Sequence, residues 1–304
     1  MENRCFLLLD VGGTFVKSVV ATYNGTILSD SESSEPIDSD GARADIEQAF
    51  AAIVSKGFAI STSHGYHIAG VGIAFPGPFD YNAGVSYMTH KFAALENVSV
   101  KEFFHSLPEI GADMPVVFMH DVTAALLGEL CFGAAKEFKN VALITLGTGL
   151  GFAHAVDGEI QYNEQHAPAI SLYNRPYKGE ELEDFISKRG FLRAYAEVRG
   201  VENPDDLTVA AIGKAASEGE ALALKSFHHV GTIIASEIEA VLNEYKIEAL
   251  LFGGQISRSF IHFESALQPL FDKVATLKHI SPMQNLSTAA PLGILSKLLK
   301  EFND

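Results

Sequence analysis

The sequence predicts an α/β protein of two domains in which a β-hairpin phosphate loop occurs twice. Three observations carry this. The 304 residues are enough for two domains of ordinary size. Apolar runs of strand length alternate with stretches whose apolar residues recur at helical spacing. An apolar strand also runs into glycines and a threonine and emerges as a second strand at two places, Phe6 to Tyr23 and Val141 to Val156, as expected of a duplicated fold.

The elements follow in order. Phe6 to Asp10 reads as a buried strand and Val16 to Tyr23 as its partner. Asn24-Gly25, a pair that tolerates positive φ, then predicts a turn into a third strand around Thr26 to Leu28. Ala44, Ile46, Phe50 and Ile53 make Asp40 to Lys56 a helix, and His67 to Phe75 returns to a strand that stops at Pro76-Gly77-Pro78. Pro115 to Met119 is a short strand and Val122 to Cys131 a helix starting just after Asp121. Beyond the second glycine loop the chain predicts helices over Glu180 to Glu197, Leu207 to Ser217 and Glu220 to Tyr245. A strand over Glu248 to Phe252 ends in Gly253-Gly254, and a closing helix spans Pro291 to Phe302. No linker composition marks a boundary, so topology alone places it near residue 120. That gives a smaller domain over 1–120, onto which the closing helix is expected to pack back, and a larger one over 121–304.

Composition narrows the partners. Lys and Arg number 22 against 38 Asp and Glu, a formal charge of −16 that repels a nucleic-acid backbone, and no local basic patch offsets it. The apolar run after Met1-Glu2-Asn3-Arg4 is too short for a signal peptide or a membrane span, so a cytoplasmic protein without membrane or nucleic-acid partners is expected. Cys5 and Cys131 lie in apolar surroundings without metal-ligand spacing and are expected to be buried thiols.

The chemistry gathers at the glycine turns. In Asp10-Val11-Gly12-Gly13-Thr14-Phe15-Val16-Lys17 adjacent glycines let backbone amides approach an anion, Thr14 offers a hydroxyl and Lys17 a cation. Asp10, at the strand end, suits a Mg²⁺ ion held through water, since that ion keeps much of its hydration. Taken alone the turn could equally be a plain tight hairpin. Gly147-Thr148-Gly149-Leu150-Gly151 repeats the chemistry in the second half, so that two opposed hairpins could grip a polyphosphate. Gly253-Gly254-Gln255 follows a strand and precedes a helix, which suits either a nucleotide or a helix-capping loop. Neither the Rossmann nor the Walker glycine spacing is present. Asp121 stands between a strand and a helix, as an N-cap or as a general base able to take the proton of an attacking hydroxyl.

Asp10 to Lys17, Gly72-Ile73-Ala74-Phe75-Pro76-Gly77-Pro78, His120-Asp121, Gly128-Glu129 and Thr145-Leu146-Gly147-Thr148-Gly149 resemble, in order, the motifs of the ROK family (repressors, open reading frames and kinases). The resemblance runs through the chain to Gly253-Gly254 and the closing helix. It implies the actin-like ATPase (ribonuclease H-like) fold and a homodimer. It also implies ATP with Mg²⁺, and phosphorylation of a hexose or hexosamine hydroxyl with Asp121 as catalytic base. On this pattern Asp10, Gly12, Gly13, Thr14, Lys17, Gly147, Thr148, Gly149, Gly253, Gly254 and Gln255 are expected at the nucleotide, and Gly77, His120, Asp121 and Glu183 at the sugar.

The chain leaves the family pattern at several places. His120 stands where the family has asparagine, and Lys91-Phe92-Ala93-Ala94-Leu95 replaces a stretch of the type Asn-Leu-Pro-Gly-Trp. The sugar-binding Gly-Glu-x-Gly-His motif is not visible: its glutamate and histidine would fall on Ile170 and Tyr173, with Glu164 and His166 nearby as substitutes. The cysteine cluster of the family's zinc motif is missing from Asn174 to Glu183, so no structural zinc is expected. Glu183 has two readings, a sugar contact or an acidic residue favoured in the first turn of a helix. His154 and His166 are expected to satisfy structural hydrogen bonds rather than bind metal. A sugar-binding regulator of the same fold with little or no kinase activity is the alternative; with the first strand starting within a few residues of Met1 no DNA-binding segment is expected before it, so such a regulator is expected to act through protein partners.

Overall fold

The computed structural model describes residues 3–302. Its main elements in chain order are β1 Arg4–Val11, β2 Phe15–Thr22, β3 Ser33–Pro36, α1 Arg43–Ser63, β4 His67–Phe75, β5 Val116–His120, α2 Asp121–Phe132, β6 Val141–Leu146, β7 Leu150–Val156 and β8 Glu159–Ile160. These are followed by α3 Lys188–Arg199, α4 Val209–Ser217, α5 Ala221–Glu244, β9 Ala249–Gly253, β10 His279–Pro282 and α6 Ala289–Glu301. The chain divides into two compact units. The first takes residues up to Phe132, the segment Tyr162–Ala169 and everything from Ser287; the second takes Gly133–Gln161 and Ile170–Leu286.

In the first unit the sheet order is β3-β2-β1-β4-β5. β1, β2 and β3 are antiparallel neighbours, and β1, β4 and β5 run parallel. Alternation along β1 sends successive side chains to opposite faces. Leu7 and Leu9 join Ile46, Phe50 and Phe75 in a core with α1, while Phe6 and Leu8 join Ile294, Leu295 and Leu298 of α6. Helices α2 and α6 touch backbone to backbone: a β-carbon on Gly128 would lie 2.0 Å from the Ala289 carbonyl oxygen, and one on Gly293 1.8 Å from that of Ala124.

The second unit repeats the plan. Its sheet order is β8-β7-β6-β9-β10, with β6, β7 and β8 antiparallel neighbours and β6, β9 and β10 parallel. Phe227, Val230, Ile234 and Ile238 of α5 cover the sheet residues Ile144, Leu146, Leu250 and Phe252. Among the described residues no helix is long and apolar enough to cross a membrane.

Several elements differ from expectation. Thr26 to Leu28 is not a strand: the Asn24-Gly25 turn makes one isolated bridge, Ala21 with Ile27, and the chain then turns again at Asp30, whose φ is 58°. The third strand is Ser33–Pro36 instead. Helix α1 runs on from Lys56 to Ser63, since Gly57 there lets it close onto Leu7 of β1. Glu180 to Glu197 is no single helix, because Glu180–Glu181 pairs with Pro176–Tyr177 around Lys178-Gly179 and extended Ser187 separates the short helix Glu183–Ile186 from α3. A Glu180–Arg193 ion pair, the Arg193 guanidinium over the Phe185 ring and the Tyr177–Phe185 ring contact hold this hairpin. The segment after Gly254 is a 3₁₀ helix, Gln255–His262. Cys5 is buried as expected, but Cys131, in the last turn of α2, is exposed. His154 is buried with neither ring nitrogen hydrogen-bonded. It packs against Phe152 and Tyr245 instead, and burial lowers its pKa.

Candidate active site

Parallel strands place their carboxyl ends on one edge of a sheet, where ligands bind in open α/β folds. In the first unit the register aligns Asp10 of β1 with Ala74 of β4, and Phe75 with His120 of β5. The turn after β1, the Pro76-Gly77 turn after β4 and the His120-Asp121 junction after β5 therefore gather at one edge.

The first turn joins Val11 to Val16. Gly12 N–H donates to the Phe15 carbonyl at 2.9 Å and closes the hairpin. The Gly13 and Thr14 carbonyls accept from Ser39 and Ile37 at 3.3 and 3.0 Å, while the Gly13 and Thr14 N–H groups carry no bond to the described residues. The loop is thus pinned by its oxygens and presents two amides, as an anion cradle requires. Lys17 Nζ lies 3.8 Å from Asp10 Oδ2. Desolvation raises the Asp10 pKa to about 6, with Lys17 opposing and Asp121 adding to the rise. A carboxylate held above its ordinary value by burial and by a second carboxylate is a place where bound positive charge is favourable. Its hard oxygen fits a magnesium ion.

Asp121 opens α2, and its Oδ1 accepts from Val122 N–H at 2.7 Å and stands 2.7 Å from His120 Nδ1. Desolvation acts to raise the Asp121 pKa, but the charge and hydrogen bond of His120, the Val122 amide and Lys91 together hold it below the usual carboxylate value. The carboxylate is half-exposed, so it is ionised yet reachable. The base and N-cap readings describe the same side chain. Tyr81 is buried behind it, donates to the Phe75 carbonyl at 3.0 Å and lies 5.8 Å ring to ring from His120. Burial pushes the Tyr81 pKa well up, and Asp121 adds to that. A β-carbon on Gly77 would lie 3.2 Å from the Tyr81 hydroxyl and 3.5 Å from the His120 ring, so Gly77, His120 and Asp121 form one cluster.

The segment Tyr162–Ala169 joins this unit, and Tyr81 N–H donates to the Gln165 carbonyl at 3.2 Å. Glu164 and His166 are both exposed on it. His166 has φ 56° and stacks on Tyr162 at 5.2 Å, so its ring is held by packing, with its amide bonded to the Asn163 carbonyl.

In the second unit the corresponding strand ends carry the other two loops, with Thr145 of β6 in register with Gly253 of β9. Gly147 N–H donates to the Gly149 carbonyl, and Thr148 is exposed at the tip. Glu183 Oε2 accepts from Leu150 N–H at 2.8 Å and would lie 2.7 Å from a β-carbon on Gly149. Its Oε1 pairs with Arg189 at 2.9 Å, and Arg189 also holds Asp184 at 2.9 Å. Glu183 thus braces the second glycine loop. Gly253 is buried against Met283 and Thr145. Gly254, at φ 79°, presses on the Leu146 backbone and turns the chain into the 3₁₀ helix, where exposed Gln255 accepts from Arg258 at 3.1 Å.

Sequence reasoning named Lys91 only as a departure from a pattern, and it missed Tyr81 and Arg189. Tertiary hydrogen bonds bring Lys91 and Tyr81 to the site, and Arg189 reaches Glu183 across the break between two helices; no local residue pattern announces either.

Comparison with known proteins bears on the family and the fold. The ROK family model matches residues 6–290. A glucokinase of Halalkalibacterium halodurans is 26% identical over 282 residues, covering 85% of this chain and 82% of that one. The crystal structure of a ROK family glucokinase from Streptomyces griseus with glucose and AMPPNP superposes with a TM-score of 0.77 at 19% identity, over 96% of this chain and 98% of that one. A ROK family transcriptional regulator, a homologue of the E. coli MLC protein, gives a TM-score of 0.83 at 18% identity over 98% of this chain and 78% of its own. The relatives thus include sugar kinases and a regulator, and the fold is that of the actin-like ATPases. With a family model that spans nearly the whole sequence and the motifs Asp10–Lys17, His120-Asp121 and Gly147–Gly149 at matching strand ends, the chain belongs to the ROK family.

Proposed function

We propose that the protein is an ATP-dependent kinase that phosphorylates a hydroxyl of a hexose or N-acetylhexosamine. The observation that carries this reading is the meeting of Asp10, the Gly13 and Thr14 amides and ionised Asp121 at adjacent strand ends of one sheet. The amides of the first loop, with Lys17, receive phosphate oxygens, and the Gly147–Gly149 and Gly253–Gln255 loops of the second unit serve the rest of the nucleotide. Asp10 would hold Mg²⁺ through water, and that ion, when bound, neutralises charge on the phosphates. Asp121 takes the proton of the acceptor hydroxyl as its oxygen attacks the γ-phosphorus. Gly77, His120, Glu164 and His166 are the proposed sugar-side groups. Glu183 belongs to that side only if its loop opens, since its carboxylate is already engaged by Leu150 and Arg189.

A panel of hexoses and hexosamines in a coupled ADP-release assay tests the reading. We expect at least one sugar to raise turnover, and Asp121→Asn to lower kcat by about 10² to 10⁴ with little change in ATP binding. Turnover that no sugar raises, or that survives Asp121→Asn, ends it.

The His120–Asp121 pair favours a second reading. A base already engaged by an imidazole at 2.7 Å and an amide at 2.7 Å suits a sugar-binding regulator with little catalysis. Calorimetry showing tight sugar binding without turnover would select it.

A further inference from the structure

One cation at the edge of the first sheet has no partner in the proposed chemistry. Lys91 makes no ion pair with the described residues, whereas Lys17 is paired with Asp10. Its side chain nevertheless lies on the glycine turn: a β-carbon on Gly13 would be 3.3 Å from Lys91 Cδ and 3.4 Å from Cε. Its charge also reaches Asp121, whose pKa it helps to depress. The Lys91 stem therefore lies on the phosphate cradle, and its charge acts on the proposed base.

This placement is built into the backbone. Phe92 N–H donates to the Ser39 carbonyl at 2.7 Å, and Ser39 N–H donates to the Gly13 carbonyl at 3.3 Å. The Lys91-Phe92 segment is thereby hydrogen-bonded to the turn through one residue. Phe92 itself has φ 53° and ψ 31°, a left-handed conformation unusual for a bulky aromatic residue. It is fully buried, with its ring 5.5 Å from that of Phe75. A strained backbone held by a buried ring, one residue from an unpaired exposed cation, is the kind of outlier that marks a working position.

We propose that Lys91 is a catalytic residue that contacts the phosphoryl group during transfer. The step rests on the kinase reading. The acceptor oxygen forms a bond to the γ-phosphorus, the bond from that phosphorus to the β–γ bridging oxygen breaks, and its electron pair leaves with ADP. The hydroxyl proton goes to Asp121. Charge on the oxygens of the group in flight faces the Lys91 ammonium, whose stem already lies on the glycine turn.

Binding of ADP alone and of ADP with aluminium fluoride, a mimic of the phosphoryl group in flight, is measured with Mg²⁺ by calorimetry on the wild type, Lys91→Met and Lys91→Arg. We expect ADP to bind all three alike, and the fluoride complex to bind Lys91→Met at least ten-fold more weakly than the wild type, with Lys91→Arg between them. On the best sugar of the panel, Lys91→Met should lower kcat by about 10² to 10³ with the sugar KM within a few-fold. Equal fluoride-complex affinity in wild type and Lys91→Met overturns the assignment alone. A rise in sugar KM at unchanged kcat also overturns it and makes Lys91 an acceptor contact. Failure of the wild type to bind ADP overturns the kinase reading and this assignment with it.

Discussion

At the scale of single residues, Asp10 carries the clearest consequence. Its pKa of about 6 stands above the ordinary value of 3.8 because burial, aided by Asp121, disfavours its charge in the folded state. A carboxylate with a raised folded pKa destabilises the fold as pH rises, by an amount that is absent below about pH 4 and complete above about pH 6. Asp10→Asn should therefore raise stability at pH 8 by about 1 to 3 kcal/mol and leave it nearly unchanged at pH 4. Urea unfolding at the two pH values checks this, and a variant no more stable than wild type at pH 8 contradicts it. A position where removing a charge improves stability is one kept for function. The glycine turns around Asp10 and Gly147 were legible because adjacent glycines and a threonine after an apolar strand form a local pattern. Lys91 was not, because Ser39, distant in sequence, decides where the Lys91-Phe92 segment sits.

At the scale of elements, legibility followed burial. Strands β4 and β6 lie where the apolar runs of the sequence place them, since both faces of a central strand are covered and the run is unbroken. Edges were misread: Thr26 to Leu28 has the turn chemistry of a hairpin but too little apolar surface to stay in the sheet, and β10, at the sheet edge, is only partly buried and gave no signal. The contact between α2 and α6 was also illegible, although its cause is in the sequence as Gly128 and Gly293. A methyl at Gly128 has nowhere to go, with the Ala289 carbonyl oxygen 2.0 Å from the β-carbon position. Gly128→Ala must push the helices apart and lose packing against Ala124, Leu292 and Leu295, which we expect to cost about 3 kcal/mol. The same substitution at Gly65, where nothing lies within 4 Å but φ is 75°, should cost only about 1 kcal/mol. Chemical unfolding of the two variants side by side separates packing from backbone strain, and equal losses would show that the helix contact yields.

For the whole molecule, the sequence foretold the duplication and the excess of acid. Two sheets of like order and like strand directions account for the twice-repeated glycine turn. The formal charge of −16 is spread over a chain in which the ion pairs among the described residues engage only part of the 38 acidic residues, so the folded molecule repels itself. Screening reaches about 10 Å at 0.1 M salt and about 30 Å at 0.01 M, so exposed carboxylates that feel one another in dilute buffer are largely separated electrostatically at moderate salt. The melting temperature should therefore rise by several degrees between about 10 and about 200 mM NaCl, with most of the gain at the low end where the screening length changes fastest. A general effect of salt on apolar burial would instead grow steadily to high concentration. Thermal melts across the range distinguish the two. A flat response would mean that the acidic residues are already compensated where they stand, and the charge argument used against nucleic-acid partners would lose its force.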